Sequence, residues 1–159
     1  MMSDLNSKDI ERIPEMTPIF VEGERADELI IIKSGQVAIV QSKKNRLKLV
    51  GHRNEKEFLG EHSLFIGDGK RKLSAIAITP TEIVRINYRD IKKVLGMCPP
   101  WVGESVQSLV QTSKNLHQSL LEHRLEDDSE THVPLSSQQE ADFLDAIEKY
   151  KAEKNLRFS

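Results

Sequence analysis

From Ile19 to Asn87 the chain is divided into short apolar runs separated by turn residues, a pattern that favours strands. LIIIK (residues 29–33) meets SGQ at once, VAIV (37–40) follows, and KNR separates it from LKLV (47–50), which alternates as a half-buried strand does. LSAIAIT (73–79) turns through Thr79-Pro80-Thr81 into EIVRI (82–86). Several short strands punctuated by Gly, Asn and Pro predict an antiparallel sandwich or barrel.

After Tyr88 the strand signals stop. DIKKVL (90–95) predicts a short helix capped by Asn87 or Asp90 and closed near Gly96. Pro99-Pro100 opens a longer helix that begins at Trp101 and runs to Leu125. At 1.5 Å per residue it would be roughly 38 Å long, more than a small barrel needs for cover. Val102, Val106, Leu109, Ser113, Leu116, Leu120 and His123 recur at spacings of four and three, a heptad-like seam with polar breaks at Ser113 and His123. Such a stripe either covers its own domain or pairs two copies of the helix.

The ends are helical in expectation. Residues 7–13 predict a short N-terminal helix with Ser7 as N-cap, Glu11 in its first turns and Pro14 as its end. EDDSETHVPLSS is an acidic, turn-rich linker. SQQEADFLDAIEKYKAEKNL is a last helix with Phe143, Ala146, Ile147 and Tyr150 on one face, available to another protein or to its own barrel. The organisation expected is a helical segment over 1–18, an antiparallel β domain with its long helix over 19–125, and a linker with a terminal helix over 126–159. The fold class is mainly β with flanking helices (α+β).

Composition narrows the chemistry. A chain of 159 residues supports one domain of ordinary size with an added helical arm. The net charge of −2 provides no global attraction to nucleic acid or anionic membrane, so an anion site must be local. The single cysteine, Cys98, excludes an internal disulfide and reads as a small buried hydrophobe. MMSDLNSKDIERIPEM carries no long apolar run, so neither signal peptide nor membrane span is expected, and the cytoplasm is the expected location. His52, His62, His117, His123 and His132 are scattered without metal-ligand spacing, and no nucleophile–base pair or acid pair stands out. Neither metal, cofactor nor enzymatic activity is expected.

One stretch remains unusual. FLGEHSLFIGDGKRKLS (58–74) sets a glycine beside a glutamate, then a glycine-rich bend, then three basic residues. A phosphorylated sugar calls for such parts. Gly60 admits a close backbone approach, His62-Ser63-Leu64-Phe65 can form a single helical turn, and Arg71 offers a charged fork to phosphate oxygens. Glu61 is placed to accept from a sugar hydroxyl.

These residues carry a resemblance. GERADELIIIKSGQVAIV (23–40) resembles the opening of a cyclic-nucleotide-binding domain, and FLGEHSLF with KRKLSAIAIT resembles that family's phosphate-binding cassette. The similarity covers roughly residues 13–125, and Gly60-Glu61 and Arg71 keep the family's relative placement. It implies an antiparallel β-roll flanked by helices, and Gly60, Glu61, His62, Ser63, Arg71, Lys72 and Ser74 as ligand-binding residues. Glu61 would take the ribose 2′-OH and Arg71 the phosphate. Asn115 and His117 become candidate base contacts on the long helix, which in the family commonly pairs two subunits. Lys72, Leu73 and His62 depart from the family pattern.

The expectation is a non-catalytic sensor of cAMP or cGMP that signals by conformational change to an effector protein, as a homodimer through the helix from Trp101 to Leu125. Residues 126–159 hold one evident helix and little basic surface, so no DNA binding is expected, and no membrane partner. A second reading keeps the fold as a dimeric interaction scaffold independent of ligand.

Overall fold

A computed structural model of the chain describes residues 9–44, 46–65, 67–126 and 135–156, apart from the side chains of Leu64, His117 and residues 120–126. Eight strands come first: β1 (Ile10–Ile13), β2 (Thr17–Phe20), β3 (Glu28–Ser34), β4 (Val37–Lys43), β5 (Arg46–Arg53) and β6 (Phe58–Leu59), then, after the single-turn helix α1 (Glu61–Phe65), β7 (Ser74–Ala77) and β8 (Thr81–Asn87). Helices α2 (Tyr88–Met97), α3 (Pro100–Glu126) and α4 (Ser137–Glu153) follow. The strands form two antiparallel sheets, in the orders β1-β8-β3-β6 and β2-β7-β4-β5. This is the antiparallel β architecture that the run spacing predicts, in the roll with flanking helices that the resemblance implies.

The main core lies between the sheets. Ile30, Ile32 and Ile83 from the first sheet meet Ile19, Val37, Ile39, Ala75 and Ala77 from the second. β7 is buried at every position and β4 at its first four because the second sheet is covered there on both faces. Its outer face, with Ala38, Val40, Leu47 and Ile76, packs against Phe143, Ile147 and Tyr150 of α4. The terminal helix therefore packs onto its own roll. A capping box between Ser136 and Gln139 starts it, and Glu140 ties it to the sheet by accepting from the Arg46 guanidinium at 3.0 Å and from the Leu47 N–H at 2.9 Å.

The expected N-terminal helix is not formed where the chain is described. Residues Ile10–Ile13 make a strand antiparallel to β8, with Ile10 opposite Val84 and Ile13 opposite Thr81. Four residues ending at a proline cannot offset the cost of nucleating a helix, whereas the open side of β8 supplies partners for the backbone groups that face it. Glu11, read as belonging to a first helical turn, instead pairs across the strands with Arg85 at 2.6 Å, and its neighbour Arg12 pairs with Glu82 at 3.1 Å. Ser7 lies outside the described residues. β2 contains Pro18 and stands at a sheet edge, where a missing N–H is tolerated.

Asn87 caps α2, its side-chain oxygen accepting from the Arg89 N–H at 2.9 Å, and the helix continues past Gly96 to Met97, with half-buried Cys98 as C-cap. On α3 the proposed seam splits. Val102 and Val106 are half-buried, whereas Leu109 (70% exposed) and Leu116 (61%) join Trp101 (65%) on the solvent side. Among the described residues no helix is long and apolar enough to cross a membrane.

Candidate functional site

The cassette is assembled by the ends of three strands. β6 pairs with β3, Leu59 opposite Ile30, and so delivers Gly60 and Glu61 to one side of a hollow. The segment leading into β7 delivers Arg71, Lys72 and Leu73 to the other, and β5 contributes Val50, Gly51 and Arg53. Phe20, Ile39, Leu59 and Leu73 provide apolar walls, and Lys114 reaches in from α3. Among the described residues the lining thus holds four cationic side chains, Arg53, Arg71, Lys72 and Lys114, against one carboxylate, Glu61.

Arg71 is 4% exposed, an unusual depth for a guanidinium. Its backbone is clasped by the turn after β2: its N–H donates to the Glu24 carbonyl at 2.8 Å, and its carbonyl accepts from the Gly23 N–H at 2.8 Å. The guanidinium lies 4.3 Å from the centre of the Phe20 ring, and Nη2 donates to the Glu28 carbonyl at 2.8 Å. Nε and Nη1 are buried without a protein partner. Burial pushes the guanidinium below its ordinary value, and Glu24, Glu28 and Asp27 counter this by charge attraction. A buried donor left unpaired costs about 1–3 kcal/mol, and more when charged. An anion in the hollow can take up this spare charged donor capacity.

Gly60 stands directly against this group. Its φ is +90°, and a Cβ there would overlap Arg71 Nη1. Glu61 and His62 are both partly exposed, with His62 Nε2 3.6 Å from Glu61 Oε1 and without a hydrogen-bond partner. Ser63 is buried in α1 and, like Glu61 and His62, lines the hollow. Lys72 also lines it, but its ammonium is engaged by Asp68 at 2.7 Å, which holds the Asp68 carboxyl below its usual range. Leu73 packs into the main core as part of the wall rather than as a plug.

Two expected contacts lie elsewhere. Ser74 does not line the hollow; its hydroxyl accepts from the Glu22 N–H at 2.9 Å. Strand alternation explains this: Leu73 and Ala75 face the main core, so Ser74 turns away from it. Asn115 is exposed, its side-chain oxygen accepting from Gln111 at 2.8 Å. The α3 residue that reaches the hollow is its neighbour Lys114, and the side chain of His117 lies outside those described. Lys114 had a signal of its own, since it is the one Lys, Arg, Asp or Glu between Ser105 and Leu121. Arg53 and Phe20 were likewise missed, because only the ladder shows that they face inward. Phe58, opposite Ile31 and 47% exposed, also lines the hollow and was missed. Among the described residues no three metal-ligating side chains converge.

The family model described as "Cyclic nucleotide-binding domain" matches residues 10–97, more than half of the chain. The protein belongs to the cyclic nucleotide-binding domain family. A cyclic nucleotide-binding relative, the cAMP-activated global transcriptional regulator CRP of Salmonella typhimurium, is 25% identical over 91 residues, 57% of this chain and 43% of CRP. The chain therefore matches less than half the length of that relative. Among solved structures, the c-di-GMP responsive global regulator CLP of Xanthomonas campestris aligns with TM-score 0.63 and 23% identity over 76% of this chain and 60% of its own. The cGMP-bound EAL enzyme Bd1971 aligns with TM-score 0.58 and 24% identity, over 74% of this chain and 32% of its own. Both likenesses concern the fold, which other proteins carry as one module of a longer chain.

Proposed function

We propose that this cyclic nucleotide-binding domain is a non-catalytic sensor that takes cAMP or cGMP in the hollow beside Gly60 and relays its occupancy to a protein partner. The observation that carries the reading is Arg71, buried with Nε and Nη1 unpartnered and set against Gly60 and Glu61. The cyclic phosphate would accept from the unpartnered side of this guanidinium, and Glu61 would accept from the ribose 2′-OH. The nucleotide is a ligand in this reading, not a substrate, and the site needs no metal.

The relay runs through α3. The cassette helix α1 packs against α3, and Lys114 of α3 lines the same hollow. A ligand that orders α1 and attracts Lys114 changes the free energy of α3's position, which is coupling in the thermodynamic sense. The solvent-facing apolar residues Trp101, Leu109 and Leu116 support a homodimer formed through α3. The effector is read as a protein, without DNA or membrane contact.

Titration calorimetry with cAMP and cGMP on the wild type and on Arg71→Ala tests the proposal. Loss of one partner of a buried charged pair costs about 2–5 kcal/mol, roughly 30-fold to several-thousand-fold in affinity. Binding that disappears in Arg71→Ala, with the circular dichroism spectrum retained, supports the sensor. Absence of binding in the wild type overturns it and leaves a ligand-independent scaffold.

A further inference from the structure

Phosphate capture leaves two of the hollow's cations, Arg53 and Lys114, without an assigned role. Arg53 ends β5, opposite Val37, which in turn stands opposite Ala77. Val37 and Ala77 belong to the core between the sheets, so Arg53 occupies an inward register position. Its Nη1 donates to the carbonyl of its neighbour His52 at 3.1 Å, and it has no carboxylate partner among the described residues. Lys114 enters from α3, also without a carboxylate partner among the described residues. Arg71 lies just before β7, and β5 is two strands away in the sheet order. At about 4.8 Å per strand that is roughly 10 Å across, comparable to the reach from a mononucleotide's phosphate to the far edge of its purine. Phe58, 47% exposed, adds an aromatic face to the same lining on which a base can stack.

The polar character of this end is one-sided. Guanidinium and ammonium groups donate and never accept. Guanine presents two acceptors, O6 and N7, on one edge, whereas adenine presents N7 beside an amino donor. Against Arg53 the adenine amino group would meet N–H with N–H. The one carboxylate of the lining among the described residues, Glu61, is assigned to the ribose. We propose that the hollow selects guanine, with the Arg53 fork on O6 and N7 and Lys114 as a supporting donor, so that cGMP is preferred to cAMP. This rests on the cyclic-nucleotide reading above and adds the identity of the base.

The test is calorimetry on the full chain with three probes: cGMP, cAMP and cIMP, which keeps O6 and N7 but lacks the 2-amino group. A bidentate base contact discriminates by about 5- to 150-fold, so cGMP and cIMP should both bind tighter than cAMP by a factor in that range. Arg53→Leu should bring the three within about threefold by weakening cGMP and cIMP. Arg53→Lys, which keeps the charge and loses the fork, should lose most of the preference and serves if the leucine variant does not fold. Equal or tighter binding of cAMP overturns the inference, as does a preference that survives in both variants. So does cIMP behaving like cAMP, which would mean that the 2-amino group is what is read. Each of these leaves the nucleotide site standing, whereas binding of none of the three probes overturns the site and the inference together.

Discussion

Tyr150 of α4 places its hydroxyl 3.3 Å from both carboxylate oxygens of Glu24, a residue 126 positions earlier. Glu24 belongs to the turn that clasps the cassette, its carbonyl accepting from the Arg71 N–H and its carboxylate from the Val21 N–H at 3.1 Å. The terminal helix therefore buttresses the backbone that presents the buried arginine. It sits on the opposite face of the second sheet from the hollow, so it acts through position and not by touching ligand.

Tyr150→Phe removes that buttress while keeping the ring in its core. An unpaired buried partner costs about 1–3 kcal/mol, so the urea midpoint should fall while the slope is unchanged. Burial, first, and the nearby Glu24 charge raise the Tyr150 pKa above its ordinary 10.0, against an opposing effect of Lys154. A raised folded pKa gives stability that is complete below the unfolded value and is lost as pH rises through the folded one. Thermal melts of the wild type should therefore lose stability above about pH 10 relative to the phenylalanine variant, and parallel melts there would show the hydroxyl to be inert.

Glu140 links α4 to β5, and its sign is opposite. Hydrogen bonds from Arg46, first, and from the Leu47 N–H hold its carboxyl below the ordinary 4.5. Its contribution is present above the unfolded value and is lost as pH falls through the folded one. Glu140→Gln should lower the melting temperature at neutral pH, and the gap to wild type should close as the pH drops below about 4. A gap that is constant with pH would show that the carboxylate charge is irrelevant to docking.

Gly60→Ala tests the cassette's tolerance. A left-handed φ costs a non-glycine residue about 1–3 kcal/mol, and here the new methyl also displaces Arg71 Nη1. The variant should be less stable by that amount, and its nucleotide affinity should fall by at least about tenfold, read by calorimetry. Unchanged affinity would mean that Arg71 does not need its present position.

Leu109→Glu addresses the exposed stripe of α3. A carboxylate in the middle of an apolar dimer contact opposes association, while at a solvated position it changes stability by less than about 0.5 kcal/mol. Light scattering at micromolar concentration should show a dimer for wild type and a monomer for the variant, with unchanged melting. A monomeric wild type would remove the dimer from the reading.

Much of the roll is legible in residue order because turn residues divide the strands. LIIIK, VAIV, LKLV and EIVRI all fall inside observed strands, and the single turn after Gly60-Glu61 forms as expected. The exceptions are β1, β2 and β6, four, four and two residues long. Segments this short carry too few residues to display a period and exist because a neighbouring strand offers partners. At the site, glycine, carboxylate and arginine are visible as residue types whose chemistry has few other uses. Arg53 and Lys114 are not, since a lone cation in a strand or helix usually faces solvent.

Local order along the chain therefore settled the strand-rich class, the single helical turn at the cassette and the extent of the long helix. Only three-dimensional packing decided which way side chains face. The second sheet is sandwiched between the main core and α4, so β4 and β7 are buried on both sides and show no alternation to read. Which face Ser74 or Arg53 takes follows from the register of the ladder, set by hydrogen bonds between strands far apart in sequence. The docking of α4 was open for the same reason, because an apolar stripe states that it needs cover and not what covers it.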